Sequence, residues 1–324
     1  MKLSHTVGVI VLILGLMTQN SGIAAPYDGQ RPVIGVSGDN ISSKSARFIM
    51  ARLYELGAYP ILFDVNDLEH IDQHLAAVHA VVLAGNSKDI NPEDYGAEKH
   101  DKTKNEDEEH ASSKRSDYEY ALLERTFARK IPTLGICGGM QRMNVTNHGK
   151  DGGTLIQHLE GPNQLEAVGE RFAPHIPVEF LELEPNTKLA ELAGDERDKP
   201  IAENSLHHQA VGRVRNGFRI AARNKSDTIE AIEADPNGQY GDHPLLMGVQ
   251  WHPEYGPSQL SENILRHVVE KATEQAKDKP VTAEQVAAVD LAGPNLRKYL
   301  EMGCQKIRET HGYRLPDDLR GNNR

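Results

Sequence analysis

Two separated stretches hold residues whose types and spacing could do covalent chemistry. The first is Thr133-Leu134-Gly135-Ile136-Cys137-Gly138-Gly139-Met140-Gln141, which carries one of the two cysteines in the chain. An apolar run ending in cysteine, then paired glycines, then a helix from Met140, has the sequence form of a nucleophile elbow. The turn is sharp, so small residues must flank the reactive side chain. The following helix aims its free N–H groups and positive dipole end at the sulfur, which favours thiolate over thiol. The second stretch is Trp251-His252-Pro253-Glu254, which follows an apolar run. The chain has 15 histidines, so a histidine alone says little. His252 differs because Glu254 lies two residues on, and in extended backbone i and i+2 project to the same side. A carboxylate there fixes the imidazole tautomer and stabilises imidazolium, the third role in a triad. Taken singly, each stretch also has a bland reading: a buried structural cysteine, or a surface His-Pro-Glu loop.

These groups need elements to carry them. Arg31–Ser37, Tyr59–Phe63, Ala80–Ala84 and Thr133–Ile136 read as short apolar strands. Lys44–Leu56 and Asp117–Lys130 read as amphipathic helices between them. Apolar strands alternating with such helices imply a parallel sheet covered on both faces. In an open parallel sheet, ligands bind at the carboxyl ends of the strands, where Cys137 would stand. Beyond Gly153 the pattern is richer in strands: Ile176–Leu183, Phe218–Ala222, Thr228–Ala234 and Leu245–Gln250. Ser258–Ala276 reads as a closing helix, and a charged helical appendage follows from Lys277. Ala97 to Ser116 is almost devoid of apolar residues and reads as a solvated loop, with a lid over the site as the functional alternative.

Composition narrows the partners. A formal charge of −11 and a pI near 5.8 leave no broad basic face for phosphate backbones, so nucleic acid is not expected. Lys2, the apolar run Val7–Met17 and the small residues Gly22 to Ala25 match a secretory signal peptide, with cleavage after Ala24 or Ala25. The expected organisation is a signal peptide over 1–25, a catalytic domain over 26–276 and an extension over 277–324. The mature protein is then periplasmic or secreted and free of the membrane. Export raises the question of whether Cys137 pairs with Cys304 or stays free.

Together the motifs resemble the class I glutamine amidotransferase superfamily. The stretches are Gly135-Ile136-Cys137-Gly138-Gly139-Met140-Gln141 and Gly248-Val249-Gln250-Trp251-His252-Pro253-Glu254. Gly85-Asn86-Ser87-Lys88-Asp89-Ile90-Asn91-Pro92 with Tyr95-Gly96 points to the γ-glutamyl hydrolase branch, which includes γ-glutamyl-γ-aminobutyrate hydrolases. So do Gly152-Gly153-Thr154-Leu155-Ile156-Gln157 and Asn204-Ser205-Leu206-His207-His208-Gln209. The resemblance covers roughly Arg31 to Ala272. It implies an α/β fold of three layers, α/β/α, with a flavodoxin-like, mostly parallel sheet, extra β elements and the helical appendage.

The resemblance also implies roles. Cys137 is the nucleophile, His252 the base and then acid, and Glu254 the orienting carboxylate. The amides of Gly85 and Gly138 form the oxyanion hole. His208, Gln141 and Asn86 are candidates to line the substrate pocket. The substrate is a small γ-glutamyl amide, cleaved through a γ-glutamyl thioester with no cofactor or metal. His207 and His208 are adjacent and point opposite ways in extended chain, so they do not chelate one ion. Two positions depart from the branch. Gly138 stands where arginine is common, and Asn86 stands where glycine or serine is common. The alternatives are a glutaminase-type partner of an amidotransferase complex and a catalytically silent ligand-binding relative. Assembly into a homo-oligomer is left open.

Overall fold

Residues along β1 (Val33–Ser37) alternate between two cores. Ile34 and Val36 face one, and Val33 faces the other. The split repeats on β3 (Ala80–Leu83), with Val82 on one side and Val81 and Leu83 on the other. A period of two with both faces apolar is the mark of a strand buried between layers. The computed structural model describes residues 27–38, 43–86, 88–103, 112–146, 151–159, 179–256 and 258–291. The expected signal peptide and Cys304 lie outside the described residues.

The sheet runs β2-β1-β3-β4-β11-β10-β9-β6-β7. Its first half is parallel and ordered as in flavodoxin-like folds: β2 (Tyr59–Leu62), β1, β3, β4 (Thr133–Ile136) and β11 (Leu246–Val249). The second half is an antiparallel wing: β10 (Ile229–Ala234), β9 (Phe218–Asn224), β6 (Glu179–Leu183) and β7 (Ile201–Glu203). The short strands β5 (Leu155–Ile156) and β8 (Ala210–Val211) pair with each other, and β8 pairs with β10.

Helices cover both faces. On one lie α1 (Lys44–Glu55) and α6 (Gln259–Asp278), which bury Ile49, Leu53, Ile264 and Val268 against the parallel strands. On the other lie α3 (Ser112–Arg129) and α4 (Gly138–Val145), which bury Leu122, Leu123, Met140 and Met143. The small helices α2 (Ile71–Ala76), α5 (Lys188–Ala193) and α7 (Ala283–Val289) complete the described chain. Val286 and Val289 of α7 join the same core as α3, so this part of the charged tail docks on the domain. Among the described residues, no helix is long and apolar enough to cross a membrane.

Two expectations need correcting. The elbow helix begins at Gly138, not Met140. The polar stretch does not remain a loop to Ser116. Its end forms the first turn of α3, and Arg115 and Ser116 are buried there. The reason is pairing: Arg115 Nε donates to Glu119 Oε1 one turn along at 2.9 Å.

Candidate active site

The register of β4 on β11 brings the two chemical stretches together. Ile136 sits opposite Val249, and the Cys137 N–H donates to the Val249 carbonyl at 2.7 Å. Both strands end at the same rim, so the residues that follow them meet. Cys137 adopts φ 51° and ψ −110°. Positive φ in a side-chain-bearing residue costs about 1–3 kcal/mol and survives only where its surroundings enforce it. Here the glycines do. A Cβ on Gly135 would lie 2.7 Å from the Gly139 backbone, and one on Gly139 would lie 2.5 Å from the Leu83 carbonyl oxygen. Helix α4 therefore presses directly on the sheet, and Cys137 is held at its N-terminus as a buried free thiol.

His252 is fixed at three points. Its N–H donates to Asn204 Oδ1 and its carbonyl accepts from Asn204 Nδ2, each at 2.9 Å. Its ring stacks on Tyr255, with centroids 5.3 Å apart. The turn Pro253–Tyr255 swings Glu254 behind the ring, where Oε1 accepts from His252 Nδ1 at 2.8 Å and from Ser45 Oγ at 2.7 Å. The Cys137 sulfur lies within hydrogen-bonding reach of the same imidazole. Burial opposes a charge on His252, but Glu254 and Cys137 outweigh it and push its pKa up to about 10. The ring therefore holds its proton at neutral pH, facing the sulfur.

Gly85 closes this arrangement. A Cβ there would stand 2.7 Å from His252 Cε1 and 3.5 Å from Cys137 Cβ. Among the described residues, neither the Gly85 nor the Gly138 amide donates to a backbone carbonyl. Asn86 lies against Gly138: a Cβ at 138 would be 2.8 Å from Asn86 Cβ. The two departures from the hydrolase pattern are thus one contact, in which the Asn86 side chain occupies the start of the space a residue at 138 would need.

The network that holds the Gly85 segment escaped sequence reasoning. Arg115 donates to the carbonyls of Ala84 at 2.8 Å and Gly85 at 3.2 Å. Glu119 accepts from Arg115, from Arg142 Nη1 at 2.7 Å and from Ser37 Oγ at 2.5 Å. Arg142 in turn donates to Ser116 Oγ at 2.8 Å. The side chains of Arg115, Glu119 and Arg142 are all fully buried. The signal in the sequence was their spacing: Arg115 and Glu119 share the stripe of α3 that carries Leu122 and Leu123, where a charge must be paired.

Two other candidates turn toward protein partners. Gln141 Nε2 donates to the Gln209 carbonyl at 3.1 Å and to Gln250 Oε1 at 3.2 Å, which uses both amide protons. His208 Nε2 donates to Asp89 Oδ1 at 2.8 Å, and its ring lies 5.6 Å from that of His158. His207 and His208 do point apart. His207 enters the wing, where its Nε2 is 3.6 Å from Glu230 Oε2 and 4.0 Å from Glu179 Oε2. One ligand atom from each of these three buried residues falls within 4.8 Å of the others, a donor set able to hold a metal ion that sequence spacing did not reveal. Burial pushes both carboxyls up and the His207 imidazole down to about 4.

Comparison with known proteins gives the family and the fold. Residues 32–254 match the family model described as Peptidase C26. A Mycobacterium tuberculosis protein with the provisional name glutamine amidotransferase is 36% identical over 192 residues, which cover 58% of this chain and 54% of that protein. The chain thus spans about half the length of that relative. The γ-glutamyl-γ-aminobutyrate hydrolase of Escherichia coli K12 is 30% identical over 198 residues, covering 59% of this chain and 70% of the relative. The crystal structure of a Thermoplasma acidophilum protein, provisionally named as part of a GMP synthase, superposes with a TM-score of 0.51 at 14% identity, covering 76% of this chain and 97% of its own. That likeness shows the α/β fold alone.

Proposed function

This chain belongs to the peptidase C26 family of glutamine amidotransferase-like hydrolases, and we propose that it is an exported cysteine hydrolase of γ-glutamyl amide bonds. The observation that carries the reading is the His252 ring, hydrogen-bonded to Glu254 through Nδ1 and set beside Cys137 at the same rim. The sulfur attacks the γ-carbonyl of the substrate while its former proton resides on His252. The tetrahedral oxyanion settles between the amides of Gly85 and Gly138, a device worth about 10²–10³ in rate per donor. His252 protonates the departing amine, leaving a γ-glutamyl thioester on Cys137. Water, deprotonated by the same imidazole, then attacks the thioester, releasing glutamate and returning the sulfur as thiolate beside the imidazolium. Besides substrate and water, these steps use the side chains of Cys137, His252 and Glu254 and the two backbone amides.

The γ-glutamyl half of the substrate is supported by the Escherichia coli relative and by the motifs around Gly85 and Asn204. Export is supported by the charged and apolar pattern of residues 2–17; N-terminal sequencing of the secreted chain should begin at Ala25 or Pro26. The decisive assay incubates a panel of γ-glutamyl amides, glutamine included, with wild type and Cys137→Ala and measures released glutamate. Wild type should turn over at least one member other than glutamine, and the variant none. Equal release from both would remove the mechanism. Turnover of glutamine alone would favour the amidotransferase reading that the mycobacterial relative's name carries.

A further inference from the structure

The geometry points to a transition-metal site in the antiparallel wing, built by Glu179 at the start of β6, Glu230 on β10 and His207 between β7 and β8. It rests on the wing alone and does not depend on the γ-glutamyl reading. The first argument is the tautomer of His207. Its Nδ1 lies 2.9 Å from the Gln209 carbonyl, which only accepts, so Nδ1 carries the ring proton of the neutral imidazole. The Nε2 lone pair then faces two carboxylate oxygens, at 3.6 Å and 4.0 Å.

The second argument is the lack of protein partners. Among the described residues, His207 Nε2, Glu179 Oε2 and Glu230 Oε2 are each buried without a hydrogen-bond partner. The opposite oxygens are spoken for: Asn224 Nδ2 donates to Glu179 Oε1 and, at 3.2 Å, to Glu230 Oε1. One amide thus orients both carboxylates so that their remaining oxygens meet the imidazole. A backbone carbonyl on the far nitrogen of the histidine and a hydrogen-bonded carboxylate on each side are the outer supports that metal ligands generally have.

The donor set names the ion class. One imidazole and two carboxylates suit zinc, manganese, iron(II) or cobalt, whereas calcium and magnesium prefer oxygen alone. Metal–ligand bonds of about 2.0–2.2 Å imply ligand atoms roughly 3.3–3.6 Å apart in a tetrahedron, so the cluster needs only a small contraction. Three protein ligands leave one position of a tetrahedron for a water, and burial keeps that position away from substrate, which suits a structural role. The site would brace the wing against the catalytic rim. The Glu230 carbonyl accepts from the Gln250 N–H at 2.8 Å, and the Gln209 carbonyl that supports His207 also accepts from Gln141 on the elbow helix.

The test uses the full chain carrying Cys137→Ala, because the triad thiol would itself capture a soft metal. After dialysis against a chelator, the protein is titrated with Zn²⁺ and separately with Co²⁺. One equivalent of Zn²⁺ should bind and raise the melting temperature, and Co²⁺ should show visible bands without a sulfur charge-transfer band. Adding Glu230→Gln, which keeps the shape and removes the charge, should weaken Zn²⁺ binding at least about tenfold and abolish the thermal shift. Glu179→Gln provides the same reading should the first variant not fold. Failure of the Cys137→Ala protein to bind stoichiometric Zn²⁺ would overturn the site, as would unchanged binding after either glutamate replacement. Glutamine variants that melt higher than their parent without any metal response would assign the cluster to a shared proton instead.

Discussion

Two buried histidines in this protein stand in opposite charge states. His252, at the end of the parallel half, is pushed up to about 10; His207, in the antiparallel wing, is pushed down to about 4. Burial acts against the charged form in both. The difference lies in what each ring faces. His252 has Glu254 on one nitrogen and the Cys137 sulfur near the other, and these outweigh desolvation. His207 has a neutral carbonyl on one nitrogen, and the carboxyls it meets are themselves driven toward neutrality by burial. Depth alone does not set the charge of a buried imidazole. The groups that the ring faces do.

The same contrast separates the larger networks. Glu119 is buried between two arginines and a serine hydroxyl, with its charge matched on the spot. Glu203 in the wing is equally buried, yet among the described residues it receives only the hydroxyls of Ser258 and Ser261, and its pKa rises to about 8. Hydroxyl donors soften the cost of burial without cancelling it.

Removing partners one at a time sharpens this comparison. The largest effect is expected for Glu254→Gln, which takes away the carboxylate that raises His252. Turnover should fall about 10³–10⁴-fold, in the range of similar triad changes. The imidazolium is present below about 10 in the wild type, so the alkaline limb of the rate profile should move to lower pH in the variant. A limb that stays in place would mean that Glu254 does not set the charge. Next comes Arg115→Leu, which leaves Glu119 short of one arginine and frees the carbonyls of Ala84 and Gly85. Unfolding in urea should show a loss of about 3–5 kcal/mol, the usual result of halving a buried pair; a loss below about 1 kcal/mol would show that Arg142 suffices.

Gly85→Ala should be smaller and local. The added methyl meets His252 Cε1 at 2.7 Å, so the ring must shift. Turnover should drop about 10²-fold with little change in melting temperature, since misplacement by an ångström has effects of that size. Unchanged turnover would detach Gly85 from the site. A further effect concerns pH and stability. The folded pKa of Glu203 lies above its ordinary value of 4.5, so its contribution is fully present below that value and is lost as pH rises through about 8. Wild type should therefore weaken between pH 5 and pH 8, and Glu203→Gln should flatten that part of the curve. Parallel curves for the two proteins would exclude Glu203 as the source.

The catalytic half was legible because its signals are local. Strand, cysteine and glycine pair follow one another, and His252 and Glu254 are two residues apart, so each meaning is written within a few positions. Arg115 was not legible as a buried group, because the polar run before α3 looks like solvated loop until α3 docks on the sheet. Asn86 and Gly138 read as two unrelated departures until their contact became visible. The wing was harder still. Strands β6, β9 and β10 were recognised and β7 was not, and the order β10-β9-β6-β7 depends on antiparallel pairings between segments with no local mark of their partners.

Period-two apolar strands and a cysteine followed by paired glycines are properties of neighbouring residues, so the chain alone specified an α/β protein with a cysteine at a strand end. Pairing of buried charge is a property of residues distant in the chain. Whether Glu119 meets Arg142, and whether His207 meets Glu179 and Glu230, followed only from how the layers and the wing pack, because burial raises the stakes of every partner that the folded chain does or does not supply.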